Sequence, residues 1–285
     1  MFLETKNLTH IYMPGTPFQV KALQNVTLSI KRGEFIGIIG ETGSGKSTLV
    51  QHFNGLLKPS AGRVLFERQN IWQEGFNLQK LRSRVALLFQ FPEHQLFEET
   101  VFKDVAFGPR NLGLSGAELK KRVFHSLQTV GLDYENYKER SPLNLSGGEK
   151  RRVALAGILA MQPEVIILDE PTAGMDPAGR RNLLAQIKKM HRDQKLTVIL
   201  VTHSMEDASR LAEKLFVFAR GKKVLQGTPA EVFNSAAVVK EIGLDLPPLT
   251  ELLQKLKTGK HHHLRTDLFS IKDVGREILH HFKKD

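Results

Sequence analysis

The chain has 285 residues, 41% of them hydrophobic and 25% charged, which is typical of a globular protein with one large domain, or one domain and a tail. It has no cysteine, so disulfides, thiolate metal sites and a cysteine nucleophile are excluded. The formal net charge of +11 fits a solvated basic surface or contact with an anionic membrane or nucleic acid, and charge alone does not decide between them.

The N-terminus lacks the pattern of a signal peptide, because the acidic residue Glu4 comes early and no long apolar stretch follows. No segment reaches the roughly 18–20 uninterrupted apolar residues that a membrane span requires. The nearest candidate, 153–168, is interrupted by Gln162, Pro163 and Glu164. We therefore expect that the chain does not cross a bilayer.

The first part of the sequence alternates between strand patterns and turns. Apolar or alternating segments predict strands at 2–8, 21–30, 34–39, 64–66 and 85–89. The third of these is almost entirely apolar, which is typical of a buried central strand. A glycine-rich turn at 40–45 then leads into a predicted helix at 46–56.

From about residue 92 to residue 163 the pattern becomes helical, as at 117–130, where apolar side chains recur on one side. Strand patterns then return at 165–168, 198–201 and 215–218, with helical segments at 178–194 and 205–211 between them. Strands that alternate with helices predict an α/β fold with a mostly parallel sheet covered on both faces. A hairpin at 215–226 closes this part, and the more polar, helical remainder from about residue 228 is broken at Pro247-Pro248.

Residues 40–47, Gly-Glu-Thr-Gly-Ser-Gly-Lys-Ser, match the phosphate-loop pattern in full. Glycines allow backbone N–H groups to converge on phosphate oxygens, and the helix that follows directs its positive end at the same anion. Lys46 is expected to reach the β- and γ-phosphates, and Ser47 to ligate Mg²⁺. A tight turn without chemistry is the alternative, and the complete match between a strand and a helix argues against it. The nucleotide-binding residues predicted here are Gly40, Thr42, Gly43, Ser44, Gly45, Lys46, Ser47 and Thr48.

Two acids, Asp169 and Glu170, end the apolar strand at 165–168. The carboxyl end of a parallel strand faces the crevice where ligands bind. Asp169 is expected to hold Mg²⁺ through water, and Glu170 to accept a proton from the attacking water or fix its position. Helix capping explains such a pair equally well when it stands alone, but the phosphate loop favours the catalytic interpretation.

The segment 145–152, Leu-Ser-Gly-Gly-Glu-Lys-Arg-Arg, is a second anion-binding device on the same chain, although a helix N-cap in a flexible loop is the alternative. One nucleotide does not need two such devices from one subunit. The segment resembles the LSGGQ signature of the ATP-binding-cassette family. That resemblance implies a head-to-tail dimer in which Ser146, Gly147 and Gly148 bind the γ-phosphate held by the partner's Lys46. Glu149 stands where glutamine is commoner, a departure that we do not expect to inactivate the protein.

Four further residues match the family's other motifs. The resemblance implies that Tyr12 stacks on adenine and that Gln90 senses Mg²⁺ and the attacking water. It also implies that Asp176 belongs to an inter-subunit loop and that His203 is a switch contacting the γ-phosphate. As isolated residues, Tyr12 and His203 would more often be structural, so their roles depend on the family pattern.

The resemblance covers about residues 3–230 and implies a P-loop NTPase (RecA-like) core with an antiparallel β subdomain. It places a helical subdomain at about 92–163 within a nucleotide-binding domain at 1–230, and a small helical C-terminal subdomain at 231–285. The expected activity is hydrolysis of ATP, with ATP and Mg²⁺ as ligands.

The segment 92–97, Pro-Glu-His-Gln-Leu-Phe, is similar to the energy-coupling factor ATPases of prokaryotic vitamin and transition-metal importers, and 245–252 is similar to their C-terminal subdomain. Gln-Phe-Pro-Glu at 90–93 looks more like the second of the two paralogous cassettes. The resemblance implies a peripheral protein on the cytoplasmic face of the cell membrane. Its partners would be a second cassette (a paralogue or a second copy), a transmembrane coupling subunit and a substrate-binding membrane protein. Leu96 and Phe97, apolar residues among acids, are expected to be exposed for docking.

Two other functions remain open to the sequence. A soluble cassette ATPase in DNA repair or on ribosomes fits the basic charge, but no coiled-coil insertion or second cassette is visible, so no nucleic-acid partner is expected. A P-loop kinase or GTPase leaves the Ser-Gly-Gly segment and His203 unused. The tract at 261–263 could bind a transition metal, although Lys260 and Arg265 nearby favour a solvated basic loop.

Overall fold

The computed structural model describes residues 1–257 and 263–282. The strands are β1 (Leu3–Tyr12), β2 (Val20–Ile30), β3 (Phe35–Gly40), β4 (Ala61–Phe66), β5 (Gln69–Asn70), β6 (Val85–Leu88), β7 (Val165–Asp169), β8 (Thr197–Val201), β9 (Lys214–Ala219) and β10 (Lys222–Gly227). The helices are α1 (Lys46–Phe53), α2 (Leu78–Arg84), α3 (Val101–Asn111), α4 (Gly116–Thr129), α5 (Tyr134–Tyr137), α6 (Gly147–Ala160), α7 (Pro177–Gln194), α8 (Met205–Leu211), α9 (Pro229–Asn234), α10 (Ala236–Glu241), α11 (Pro248–Leu256) and α12 (Ile271–Phe282). Short 3₁₀ turns lie at Pro92–Gln95 and Pro142–Asn144.

The strands form two sheets. A four-stranded antiparallel sheet has the order β2-β1-β4-β5, and a six-stranded sheet has the order β10-β9-β3-β8-β7-β6. In the larger sheet every neighbouring pair is parallel except β9 with β10. The predicted α/β architecture with an additional antiparallel sheet and helical layers is confirmed.

The larger sheet divides the apolar core into two layers. Every residue of β3, β6, β7 and β8 is buried, which explains their continuous apolar sequences. Because side chains alternate along a strand, Ile36 and Ile38 pack with α1 and the antiparallel sheet, whereas Phe35 and Ile39 pack with the helices on the other face. The functional loops at the carboxyl ends of these strands are therefore supported from both sides.

Several element boundaries differ from the sequence prediction: β1 extends to Tyr12 rather than ending at residue 8, and β4 begins at Ala61 rather than at residue 64. Helix α1 ends at Phe53 rather than at residue 56, because Gly55 takes a left-handed conformation (φ 68°) and the N–H groups of Leu56 and Leu57 both donate to the carbonyl oxygen of Gln51. Strand β6 ends at Leu88, one residue earlier than expected.

Helix α2 was not predicted. It is seven residues long and buries only Leu81, so it has no repeated apolar spacing to reveal it. Its start depends on the side chain of Asn77, which accepts a hydrogen bond from the N–H of Lys80 at 2.8 Å. Such a cap is a local signal that composition alone does not separate from a turn.

The C-terminal segment is helical, as predicted. The Pro247-Pro248 pair, which we interpreted as a break, begins α11, since proline is favoured in the first turn of a helix. Phe233 and Val239 belong to the same buried cluster as the helical layer.

Of the tract at 261–263, His261 and His262 lie outside the described residues. Among the described helices, none has the length and apolar character to cross a membrane.

Candidate active site

The phosphate loop joins β3 to α1 and is tightly enclosed. Gly40 and Gly45 both have positive φ values, of 154° and 100°. A Cβ on Gly40 would collide with the carbonyl oxygen of Phe218, and one on Gly45 would lie 2.5 Å from that of Ala22. Only glycine fits at these two positions, so the loop's backbone follows from its neighbours in β2 and β9.

The side chain of Lys46 lies inside this loop. Its Nζ atom donates to the carbonyl oxygens of Gly40 (2.8 Å) and Glu41 (2.7 Å), and the residue is only 7% exposed. Burial lowers the pKa of Lys46, and the charges of Glu170 and Asp169 act in the opposite direction. The ammonium group is thus fixed at the N-terminus of α1, where helix geometry also favours an anion.

Asp169, the last residue of β7, lies close to the start of α1. Ser47 hydrogen-bonds to its carboxylate, and burial raises the pKa of Asp169. Its Oδ1 atom is buried and has no hydrogen-bond partner. An unpaired buried carboxylate oxygen is costly in isolation and suits a hydrated cation such as Mg²⁺. The capping alternative is wrong for Asp169, since no helix begins at it.

The described residues hold no group of three His, Cys, Asp or Glu side chains that could bind a metal ion. A cation at Asp169 and Ser47 would therefore take its other ligands from phosphate, water and a neutral side chain such as that of Gln90, because Mg²⁺ is usually bound by only one or two carboxylates.

Glu170 and His203 are in direct contact. Oε2 of Glu170 lies 2.7 Å from Nδ1 of His203, with the glutamate side chain 13% exposed and the histidine 72% exposed. The two residues follow β7 and β8, which are neighbouring parallel strands, so their loops emerge at the same edge of the sheet. Glu170 has a left-handed backbone (φ 51°), a strained conformation for a non-glycine residue.

The structure also places Tyr12 and Gln90 near this edge. The hydroxyl of Tyr12, at the end of β1, lies 3.2 Å from Oγ1 of Thr48 in the first turn of α1. Its ring is half-exposed and packs edge-on against His10. Gln90 is exposed two residues after β6, the strand next to β7. These positions are compatible with the predicted adenine-stacking and Mg²⁺-sensing roles.

The Ser-Gly-Gly segment begins α6, with Ser146 as the N-cap. The N–H of Glu149 donates to Oγ of Ser146 at 3.3 Å, while Oε2 of Glu149 accepts from Ser146 N (2.8 Å) and Oγ (2.7 Å). The capping interpretation is thus confirmed, but it leaves Ser146, Gly147 and Gly148 at the surface, where they can also bind an anion.

Tyr137 supports this cap, a contact that the sequence did not indicate. Its hydroxyl donates to Oε1 of Glu149 at 2.6 Å. This bond, with those from Ser146, lowers the pKa of Glu149 to about 2. The carboxylate beside Ser146 is therefore ionised at neutral pH. Twelve residues separate Tyr137 from Glu149, and no local pattern marks the pair.

Asp176 lies with the Ser-Gly-Gly segment rather than with the phosphate loop. It caps α7 by accepting from the N–H groups of Ala178 (2.9 Å) and Gly179 (3.0 Å), and these bonds lower its pKa. Ser146, Gly148 and Asp176 line one groove of about 690 Å³, whose described lining includes no residue of 40–48. The structure therefore separates the predicted site residues into two groups.

Arg151 connects the two groups and was not predicted as a site residue. Its Nη1 atom donates to the carbonyl oxygen of Ala173 at 2.8 Å. The N–H of Ala173 in turn donates to the carbonyl oxygen of Glu170 at 3.1 Å. Helix α6 is thus tied to the loop that follows Glu170. The only sequence signal was the position of Arg151 one turn into a basic helix.

Comparison with known proteins identifies relatives along most of the chain. The family model described as ABC transporter matches residues 23–173. The energy-coupling factor transporter ATP-binding protein EcfA2 of Clostridium tetani is 50% identical over 279 residues, covering 98% of this chain and 96% of the relative. The protein of the same name from Clostridioides difficile is 52% identical over 280 residues, covering 98% and 97%.

Two solved structures are also similar to this chain in sequence and in fold. The structure of cbiO1 from Clostridium perfringens, described as part of the ABC transporter complex cbiONQ, has a TM-score of 0.74 and 40% identity, covering 89% of this chain and 98% of that one. A dimeric ATP-binding cassette in a post-hydrolysis state, bound to ADP and Pi, has a TM-score of 0.73 and 30% identity, covering 80% and 99%.

Proposed function

The chain belongs to the ABC transporter family and is an ATPase, and from this premise we propose that it is the ATP-hydrolysing subunit of an energy-coupling factor importer. It would power uptake of vitamins or transition-metal ions through separate membrane subunits. The contact between Glu170 and His203 beside Lys46 carries the catalytic part of the proposal, because it places a general base and a phosphate contact at one point. The name shared by near-full-length relatives supports the transport part.

ATP is bound by the chain, and we assign its contacts residue by residue. The backbone of 40–48 would enclose the phosphates, with Lys46 on the β- and γ-phosphates and Tyr12 on the adenine. Ser47, Asp169 and Gln90 would hold Mg²⁺, Asp169 through water. The unpaired Oδ1 atom of Asp169 supports this assignment. When bound, Mg²⁺ would neutralise charge on the β- and γ-phosphate oxygens.

In the reaction, Glu170 would accept a proton from the attacking water or orient it, and His203 would contact the γ-phosphate. Lys46 would stabilise the charge that develops on the transferred group. Ser146, Gly147, Gly148 and Asp176 would act on the nucleotide of a second cassette. Their separation from the phosphate loop in a groove of their own supports action between subunits.

A surface on the helical layer is suited to a membrane partner. An apolar groove of about 360 Å³ is lined by Phe97, Phe107, Leu112 and Met161, among others. Phe97 is 64% exposed and packs edge-on against Phe107 with ring centroids 4.8 Å apart. Leu96 is only partly exposed and packs against the core, so the expectation that both apolar residues are exposed holds for Phe97 alone. We assign this groove to the transmembrane coupling subunit.

The transport assignment is tested by affinity purification of the tagged chain from native membranes in mild detergent. We expect a second cassette, a transmembrane coupling subunit and a substrate-binding membrane protein to co-purify with MgATPase activity, and the chain to lie on the cytoplasmic face. Recovery with DNA or ribosomes, and without membrane proteins, would instead support the soluble alternative.

A further inference from the structure

Arg180 connects the start of α7 with the start of α8. Its backbone N–H donates to the carbonyl oxygen of Asp176 at 3.0 Å. Its guanidinium donates through Nη2 to Oγ of Ser204 at 2.6 Å, and through Nε to Oδ2 of Asp207 at 3.0 Å. One side chain therefore holds the first turns of two helices together.

The carboxylate of Asp207, which accepts from Arg180, is buried, and Ser204, the other acceptor, is held by a hydrogen bond of its own. Asp207 is 5% exposed, and a carboxylate so buried requires a charged or hydrogen-bonding partner. Nη2 of Arg180 also lies 2.8 Å from Oδ2 of Asp207. Ser204 caps α8, accepting from the N–H of Asp207 at 3.1 Å. Arginine alone among the basic residues can span both acceptors, because its donors form a fixed planar fork.

His203 directly precedes Ser204 and depends on this arrangement. Its side chain is largely exposed, so its position is set by its backbone and by its contact with Glu170. That backbone is fixed on one side by the N–H of Thr202, which donates to the carbonyl oxygen of Ile38 at 3.2 Å, and on the other by the grip of Arg180 on Ser204. His203 in turn contacts Glu170.

We propose that Arg180 is a positioning residue that couples the Asp176 loop to His203 and, through His203, to Glu170. The inference rests on the proposed function, in which Asp176 faces the second cassette and Glu170 acts on water. Through Arg180, a displacement of the Asp176 loop by the partner would move the histidine that holds the catalytic glutamate. Hydrolysis would then proceed only when the partner is correctly seated.

Replacing Arg180 by methionine removes the fork and keeps an unbranched side chain. The matched control is R192M, which removes an exposed arginine of the same helix that pairs with its neighbour Asp193. In the isolated chain, the ring-nitrogen NMR signal of His203 can be identified among the 11 histidines by its loss in H203A. We expect this signal to shift in R180M and to stay unchanged in R192M.

Kinetics give the second measurement. R180M should lower kcat roughly tenfold, as misplacement of a catalytic group does, while the Kd for ATP changes less than about twofold. In the H203A background, R180M should have no further effect on kcat, because the residue through which it acts is gone. A destabilised fold would instead reduce activity in both backgrounds.

The proposal is overturned if R180M leaves both the His203 signal and kcat unchanged, or lowers kcat equally with and without His203. Should R180M not fold, R180K is measured in its place, since lysine keeps the charge beside Asp207 and loses the fork. Full turnover by E170Q would contradict the catalytic assignment itself, and the NMR comparison would still decide whether Arg180 positions His203.

Discussion

Glu170 and His203 are the residues on which the proposed hydrolysis most depends, because their side chains meet at 2.7 Å and Glu170 interacts electrostatically with Lys46. The sequence predicted Glu170 and the phosphate loop from motifs that each occupy a few consecutive positions, and His203 from the family resemblance. It did not predict the mutual contact of Glu170 and His203, which depends on the pairing of β7 with β8, nor the left-handed backbone of Glu170.

Replacing Glu170 by glutamine keeps the shape of the side chain but removes the base. We expect E170Q to lower kcat by at least about 10² and to accumulate an ATP-bound dimer, measured by light scattering with MgATP. E118Q, which alters an exposed glutamate paired with Arg122 on α4, is the control and should hydrolyse ATP normally. Normal turnover by E170Q would remove this residue from its role.

The ionised carboxylate of Asp169 should lower the stability of the fold, although we expect Mg²⁺ binding to require it. Because burial raises its pKa, its ionised form costs folding free energy above the folded-state pKa, and that cost vanishes below the unfolded-state value of about 4. We expect D169N to raise the Tm of the nucleotide-free chain by a few degrees at pH 7, with the gain disappearing as the pH falls towards 4. The variant should also lose Mg²⁺-dependent ATP hydrolysis. A lower Tm at pH 7 would show that the carboxylate is stabilised in the fold.

Among the elements, α6 shows most clearly how one segment serves both fold and site. Ser146 and Glu149 form a capping box that starts the helix, and the same turn presents Ser146 at the surface. The sequence predicted this segment and the central strands well, because their signals are local. It missed α2, which buries only Leu81, and the support of Glu149 by Tyr137, which depends on tertiary packing.

The charge of Glu149 should weaken the binding of a partner's phosphate. Its pKa of about 2 keeps it ionised, with Oε2 2.7 Å from Oγ of Ser146. Glutamine can replace glutamate in a capping box and has no charge. We expect E149Q to reduce the ATP concentration needed for half-maximal dimerisation roughly three- to tenfold, while E118Q does not. An unchanged or higher concentration would mean that the carboxylate does not face the phosphate.

At the level of the whole molecule, we propose two functional surfaces for the chain beyond its own ATP site. The groove containing Ser146 and Asp176 is assigned to a second cassette, and the apolar groove around Phe97 to a membrane subunit. In the sequence, the second anion-binding segment and the apolar pair among acids indicated these surfaces, and only the family resemblance indicated which partners they bind. Assembly leaves no periodic signal in one chain, so local patterns alone could not have predicted the partners.

Phe97 should matter for assembly and not for catalysis. We expect F97D to abolish co-purification with the coupling subunit, because a carboxylate replaces an exposed apolar side chain of the groove, while ATP binding by the isolated chain is unchanged. F124A, on a different part of the helical layer, serves as the control with a partly exposed phenylalanine. Intact complexes with F97D would place the coupling subunit elsewhere.

The central claim is that the phosphate loop and the Ser-Gly-Gly segment of one chain act on different nucleotides. The most direct measurement compares ATP binding and ATP turnover by S146R in the assembly that hydrolyses ATP. The account predicts that S146R still binds ATP at its own phosphate loop, whereas K46A loses this binding. It also predicts that ATP turnover is lost at the site that faces the altered Ser-Gly-Gly segment. A lone subunit carrying S146R that hydrolyses ATP at the wild-type rate would contradict it.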